Sequence, residues 1–339
     1  MLAIRFATDP AQQTSGTRQY LRDRNIVSAT SLHETIHTIE SLSRRDPGGR
    51  GLAAHAESGQ LLPAARELLR GERVLIATGF CIRAAMIGET DGPPGTLAVA
   101  DALVQLGKRV VVLTDEFSSS LLEAGTSASG FPHRIVTTTA QQASADAAID
   151  ELVTGYVPTH VLSIERPGNA SDGHRYSMRG EKLDDVAASF DRLLTLAEPN
   201  RYTTLAIGDG GNELGMGSLR EQLSGRVKHG ELIFSATAAD HVVAAGISNW
   251  GAYALAAALS LLSGRLLIRS PDKERAVLEA IVQSGAVDGC TRRCELSVDG
   301  LAWTEYAGTL EDIYRETCDW LAKHAAPAIG LTDGEGQSR

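Results

Sequence analysis

Six short runs rich in β-branched and apolar residues punctuate the chain: RVLIATGF (73–80), RVVVLTD (109–115), HRIVTTT (133–139), HVLSIE (160–165), TTLAIGD (203–209) and ELIFSAT (231–237). Most are continuous rather than alternating, which is the pattern of strands buried on both faces of a parallel sheet. Segments of helical period lie between them. GTLAVADALVQLGK (95–108) has Gly107 near its end, a good helix-terminating glycine. SADAAIDELV (144–153), LDDVAASFDRLLTLA (183–197) and WGAYALAAALSLLSG (250–264) follow the same period. Strand and helix alternate, so the expected fold is α/β, with a mostly parallel, doubly wound sheet and helices on both faces. Residues 1–50 read as a helical N-terminal extension with a break at RRDPGGRG (44–51). Residues 51–325 read as one α/β domain, and 326–339 as a disordered polar tail.

The 339 residues suit one large domain or a domain of two lobes. A net charge of -10 argues against a nucleic-acid partner. No apolar run reaches the roughly 18 residues that span a bilayer, and the apolar stretch at the N-terminus is too short for a signal peptide. Cys290 and Cys294 have a C-x3-C spacing, unlike the usual C-x2-C of zinc sites, and read as reduced thiols with Cys81 and Cys318. The expectation is a cytoplasmic protein with a small-molecule partner and no membrane partner; self-association as a homo-oligomer stays open.

In open parallel sheets, ligands bind outside the carboxyl ends of the strands. Glu89 and Asp91 follow the first run, and Asp115 and Glu116 the second. Glu165 ends the fourth and Asp209 the fifth, with Glu213 one turn on. Any one of these seven reads equally well as a cap or loop residue, Asp115 and Glu116 most simply so. Together on one edge they would repel and raise one another's pKa unless a cation neutralised them. Oxygen ligands without a Cys/His set favour Mg²⁺ or Mn²⁺. The metal candidates are Asp209, Glu213, Glu89, Asp91 and Glu165.

The stretch LAIGDGGNELGMG (205–217) places five glycines around Asp209, Asn212 and Glu213. The G-x-G-x-x-G signature fails at Glu213, and the P-loop signature fails at Met216. What remains is a strand-loop-helix corner whose amides, Gly210 and Gly211 among them, can face an anionic substrate. Asp209 and Glu213 would repel that anion unless a metal lay between. ETDGPPGT (89–96) is a second such corner, with Pro94 suited to a first helical turn. The polar loop RPGNASDGHRYSMRG (166–180) offers Arg166, Arg175 and Arg179 to a carboxylate or phosphate, or is an exposed surface loop. ISNWGAY (247–253) offers Ser248 or Asn249 as an N-cap and Trp250 for packing. His160 reads as a core histidine, and His241 is a weak catalytic candidate.

Taken in order, TGF, ETDGPPG, ERPGNASDGHRYSMRG, IGDGGNELGMG, SNWGAYAL and the pair VDGCT/SVDG resemble the D-glutamate cyclase-like C-terminal domain family, from about Arg50 to about residue 320. The resemblance implies a metal-dependent enzyme that closes D-glutamate to 5-oxo-D-proline with loss of water. A stand-alone archaeal relative implies an alternative, a metal-dependent phosphatase acting on a small phosphate ester. A third reading is a metal- or amino-acid-binding module without turnover. The resemblance also implies an additional N-terminal domain in animal members of the family, and this chain is expected to correspond to the C-terminal half alone. On the cyclase reading, the metal polarises the γ-carboxylate, and Glu213 or Glu89 takes the ammonium proton, with Asn212 beside them. The three arginines hold the α-carboxylate.

Overall fold

A computed structural model describes residues 31–324. Its strands are β1 (Arg73–Thr78), β2 (Cys81–Ile82), β3 (Ile87–Gly88), β4 (Arg109–Asp115), β5 (Arg134–Thr138), β6 (His160–Ile164), β7 (Thr203–Gly208), β8 (His241–Ala244), β9 (Ser297–Val298) and β10 (Leu301–Ala302). Six of them form one sheet in the order β5-β4-β1-β6-β7-β8. Every pairing within it is parallel, with Arg73 opposite Arg109, Val74 opposite His160 and His160 opposite Thr203. The chain winds outward from β1 to β5, crosses back, and winds outward again from β6 to β8. The gap between β1 and β6 is therefore the topological switch point, where such sheets open a crevice.

Both faces of the sheet are covered, which is why the strand sequences do not alternate. Val74 and Ile76 of β1 pack in a core with helices Leu61–Arg70, Pro93–Gln105, Ser248–Ser263 and Trp303–His324. Leu75 and Ala77 point the other way, into a core with Leu52, Ile149 and Leu193. Each fully buried Leu or Ile contributes roughly 1.5–3 kcal/mol. Ile36 and Ile39, in the helical segment 31–43, join the first core. Helices Pro93–Gln105 and Ser248–Ser263 approach closely at Gly95, where a Cβ would lie 2.8 Å from Ala252 Cβ and 2.9 Å from Asn249 Cα.

Two expected elements differ. ELIFSAT is not a strand: Gly230–Ile233 is a short helix, and the sixth strand is the four-residue His241–Ala244. Phe234 instead packs under the glycine corner, and Ser235 N–H donates to Gly211 O at 2.8 Å. The helix expected over 183–197 is reduced to Arg192–Thr195, followed by a separate turn, Ala197–Asn200. Ala188 has its carbonyl turned to the Arg166 guanidinium, at 2.7 Å, in place of a helical N–H. The tail expected at 326–339 and most of the N-terminal extension lie outside the described residues. Among the described residues, no helix is long and apolar enough to cross a membrane.

Candidate active site

Three carboxylates meet at the switch point. Asp91 stands after β1 and the β2–β3 hairpin, Glu165 directly after β6, and Asp209 directly after β7. One oxygen from each lies within 4.8 Å of the others, and all three side chains are buried. Glu165 takes a left-handed φ of 44°, a conformation that costs a non-glycine residue stability and aims its side chain.

The helix Ser248–Ser263 starts beneath them and sets their positions. Asp91 Oδ1 accepts the N–H of Asn249 at 2.8 Å and of Gly92 at 3.0 Å, and Oδ2 accepts the N–H of Ser248 at 3.0 Å. The Ser248 N–H also reaches Asp209 Oδ2 at 3.3 Å, and the Ser248 hydroxyl donates to Glu165 Oε2 at 2.6 Å. One serine thus ties all three acids, at a helix N-terminus whose dipole favours negative charge. The residue that caps this helix is Ile247; Ser248 and Asn249 are its first helical residues. Trp250 packs as expected, stacked on Tyr306 with ring centroids 5.7 Å apart.

Glu89 forms a further wall of the pocket, and a Cβ at residue 289 would collide with its Oε2, so Gly289 makes the room. Burial raises the pKa of Glu89 well above the carboxylate range, and Asp299 and Asp91 add to the effect. Burial likewise pushes Asp91 up to about 7, helped by Asp299 and opposed by the Asn249 amide and Arg50. Glu165 is raised by burial and then by Glu213 and Asp91. Asp209 is raised by burial, with Arg50 pulling the other way.

The glycine corner answers a different need from the one its sequence suggests. Glu213 Oε1 accepts the N–H of Asp209 at 2.9 Å and of Gly210 at 2.7 Å, and Oε2 accepts the N–H of Gly211 at 2.7 Å. The corner's amides face an anion, and that anion is the chain's own glutamate. Glu213 is fully buried and lies outside the converging group of three acids; its carboxylate staples the loop that presents Asp209. Asn212 Nδ2 donates to Tyr176 O at 2.8 Å. Its Oδ1 is buried, has no hydrogen-bond partner among the described residues, and belongs to a residue lining the pocket.

The three arginines of the 166–180 loop part company. Arg166 is fully buried: it pairs with Asp115, donates to Gly79 O at 3.0 Å and stacks 3.7 Å from the Phe190 ring centroid. It braces the loop rather than facing the pocket, and Asp115, which reads as a cap in sequence, is its buried counter-ion. Arg175 bonds Asp184 at 2.8 Å and Asn169 Oδ1 at 2.8 Å, away from the pocket. Arg179 lines the pocket, anchored on the carbonyls of Gly289 and Cys290 at 3.1–3.4 Å. His160 is the expected core histidine, 3.5 Å from Glu67.

Two site residues lie beyond the acids and arginines singled out in the sequence. Arg50 pairs with Asp209 and, at 2.6 Å, with Asp299. Burial works against its charge, but attraction to Asp209, Asp299 and Glu165 outweighs this and raises its pKa. The turn DPGG (46–49) presents it: Asp46 accepts the N–H groups of Arg50 and Gly51 at 3.0 and 2.8 Å. Asp299 sits in the Asp-Gly turn of the β9–β10 hairpin, with a φ of 54°. The rigid DPGG turn and the SVDG hairpin signal are the sequence features that could have marked both.

The pocket enclosed by these walls measures about 180 Å³, below the roughly 300–1,000 Å³ of drug-sized sites. Fold and pocket together define a doubly wound α/β protein with a small, carboxylate-lined pocket at the strand ends. The family model described as "D-glutamate cyclase-like, C-terminal" matches residues 39–314. The chain belongs to that family. It is 34% identical over 249 residues to the human protein "D-glutamate cyclase, mitochondrial", a match covering 70% of this chain and 40% of the relative's length.

Proposed function

We propose that the pocket binds Mg²⁺ or Mn²⁺ and closes D-glutamate to 5-oxo-D-proline with loss of water. The observation that carries the reading is the convergence of Asp91, Glu165 and Asp209, the last two of which line a pocket of small-molecule size. Each would offer one oxygen. Bound there, it supplies Lewis-acid polarisation of a substrate carboxylate.

The remaining work falls to the chain's own groups. Arg179 faces the α-carboxylate with a charge-assisted contact. Asn212 Oδ1, buried without a donor, accepts an N–H of the substrate ammonium. Glu89, with its raised pKa, suits a proton carrier between two steps. Ionised, it takes one ammonium proton and frees the nitrogen lone pair. The N–C bond to the side-chain carboxyl carbon forms as a C–O bond breaks. Two of the three ammonium protons leave with that oxygen as water, one of them by way of Glu89, and one stays on the lactam nitrogen. A phosphate ester has less support, because the corner amides that would cradle phosphoryl oxygens already hold Glu213.

The test is incubation of the purified chain with D-glutamate and Mn²⁺, following 5-oxoproline, beside a phosphate-ester panel followed by free phosphate. 5-Oxoproline formation that disappears in Asp209→Asn supports the proposal. Phosphate release alone would replace it with the phosphatase reading. Metal binding with neither product would make the chain a binding module.

A further inference from the structure

We propose that Arg50 is a built-in competitor for the cation: its guanidinium holds Asp209 until a divalent ion takes that carboxylate. The proposal rests on the cation reading above. Asp209 is 1% exposed, and its two oxygens have different partners. Oδ2 receives the Ser248 N–H at 3.3 Å, and Oδ1 carries the Arg50 ion pair. An ion that joins Asp91, Glu165 and Asp209 must share Asp209 with the guanidinium or displace it. Two cations on one buried carboxylate repel far more strongly than they would in water.

The geometry gives Arg50 somewhere to stay. Its other terminal nitrogen lies 2.6 Å from Asp299, and its backbone N–H is fixed by Asp46 at 3.0 Å. The guanidinium, whose side chain is 18% exposed in the pocket wall, can leave Asp209 and keep its second anchor. An independent feature points to a ligand in this space: Asn212 Oδ1, in a residue 1% exposed, lacks a hydrogen-bond partner among the described residues and lines the same pocket. Arg50 is therefore a positioning residue in the ion-free site and an opponent of the ion that replaces it there.

Calorimetric titration of Mn²⁺ into the wild type, Arg50→Met and Arg50→Lys separates the outcomes. Removing the charge in Arg50→Met should tighten Mn²⁺ binding by at least about tenfold, while Arg50→Lys, which keeps it, stays within about threefold of the wild type. Arg50→Gln, neutral but still able to donate to Asp299, gives the same comparison if the Met variant does not fold. Binding in both neutral variants that is unchanged or weaker than wild type overturns the proposal and leaves the cation reading standing. Absence of Mn²⁺ binding in all of the proteins overturns both.

Discussion

Replacing Glu213 by glutamine tests whether the glycine corner grips its own side chain or serves a ligand. In the native corner one carboxylate accepts three backbone N–H groups at 2.7–2.9 Å. Glutamine retains one oxygen and introduces two N–H donors. Its better orientation leaves the oxygen facing Asp209 and Gly210 and turns the amide nitrogen toward the Gly211 N–H. Donor then faces donor at a buried position, which costs about 1–3 kcal/mol. The two surviving bonds lose their charge assistance, roughly another 1 kcal/mol. The sum, about 2–4 kcal/mol, corresponds to a fall in melting temperature of about 3–6 °C for a domain of roughly 300 residues. Loss of the negative charge near Glu165 returns part of this, because Glu213 contributes to the raised pKa there. Differential scanning calorimetry of the metal-free protein reads the fall, and Mn²⁺ titration runs beside it. The expected result is a lower melting temperature with Mn²⁺ binding weakened but retained, since loss of a supporting group around a ligand costs about ten- to a hundredfold in affinity. An unchanged melting temperature with Mn²⁺ binding abolished would refute the staple and make Glu213 a ligand.

Arg166→Met strands the fully buried Asp115 carboxylate and should cost about 3–5 kcal/mol, read as loss of soluble, folded protein. Arg179→Ala should leave stability within about 0.5 kcal/mol and lower the specificity constant for D-glutamate about ten- to a hundredfold. For Asp91 the sign follows from its pKa, about 7 in the fold against an ordinary 3.8. The folded chain binds more protons than the unfolded chain between those values, so metal-free stability falls as pH rises from about 4 to about 7. Thermal melts across that range check it; saturating Mn²⁺ should flatten the slope.

Four of the longer strands were legible because residues such as Val111–Leu113 and Val161–Ile164 have both faces to bury; the edge strand β5, largely exposed or half-buried, was legible from its β-branched composition. β8 was not, because four residues carry too little pattern, while Leu232–Phe234 imitates a strand within a helical turn. The acids at the strand ends were legible by position alone, since each follows a strand directly or through one short hairpin. Their division of labour was not. Asp209 and Glu213 stand four residues apart in the same corner, and only the direction of the loop amides separates pocket acid from staple. The same holds for Arg166 and Arg179: their charges are identical in sequence, and the presence of Asp115 and Phe190 around one of them is a tertiary fact. Arg50 and Asp299 meet across 249 residues, a separation that no local pattern reports.

The turn that carries Arg50 is seated in a notch. Gly246, between β8 and the helix beginning at Ser248, donates to Ser43 O at 2.9 Å, and any side chain at Gly246 would strike the Arg45 carbonyl. A recombinant fragment beginning at β1 would retain all six sheet strands and still lack one wall of the pocket. It would also uncover the backbone next to Ser248, the residue that aligns the three acids. The shortest fragment able to report on this chemistry therefore starts upstream of Ile36, where the helical segment 31–43 enters the core.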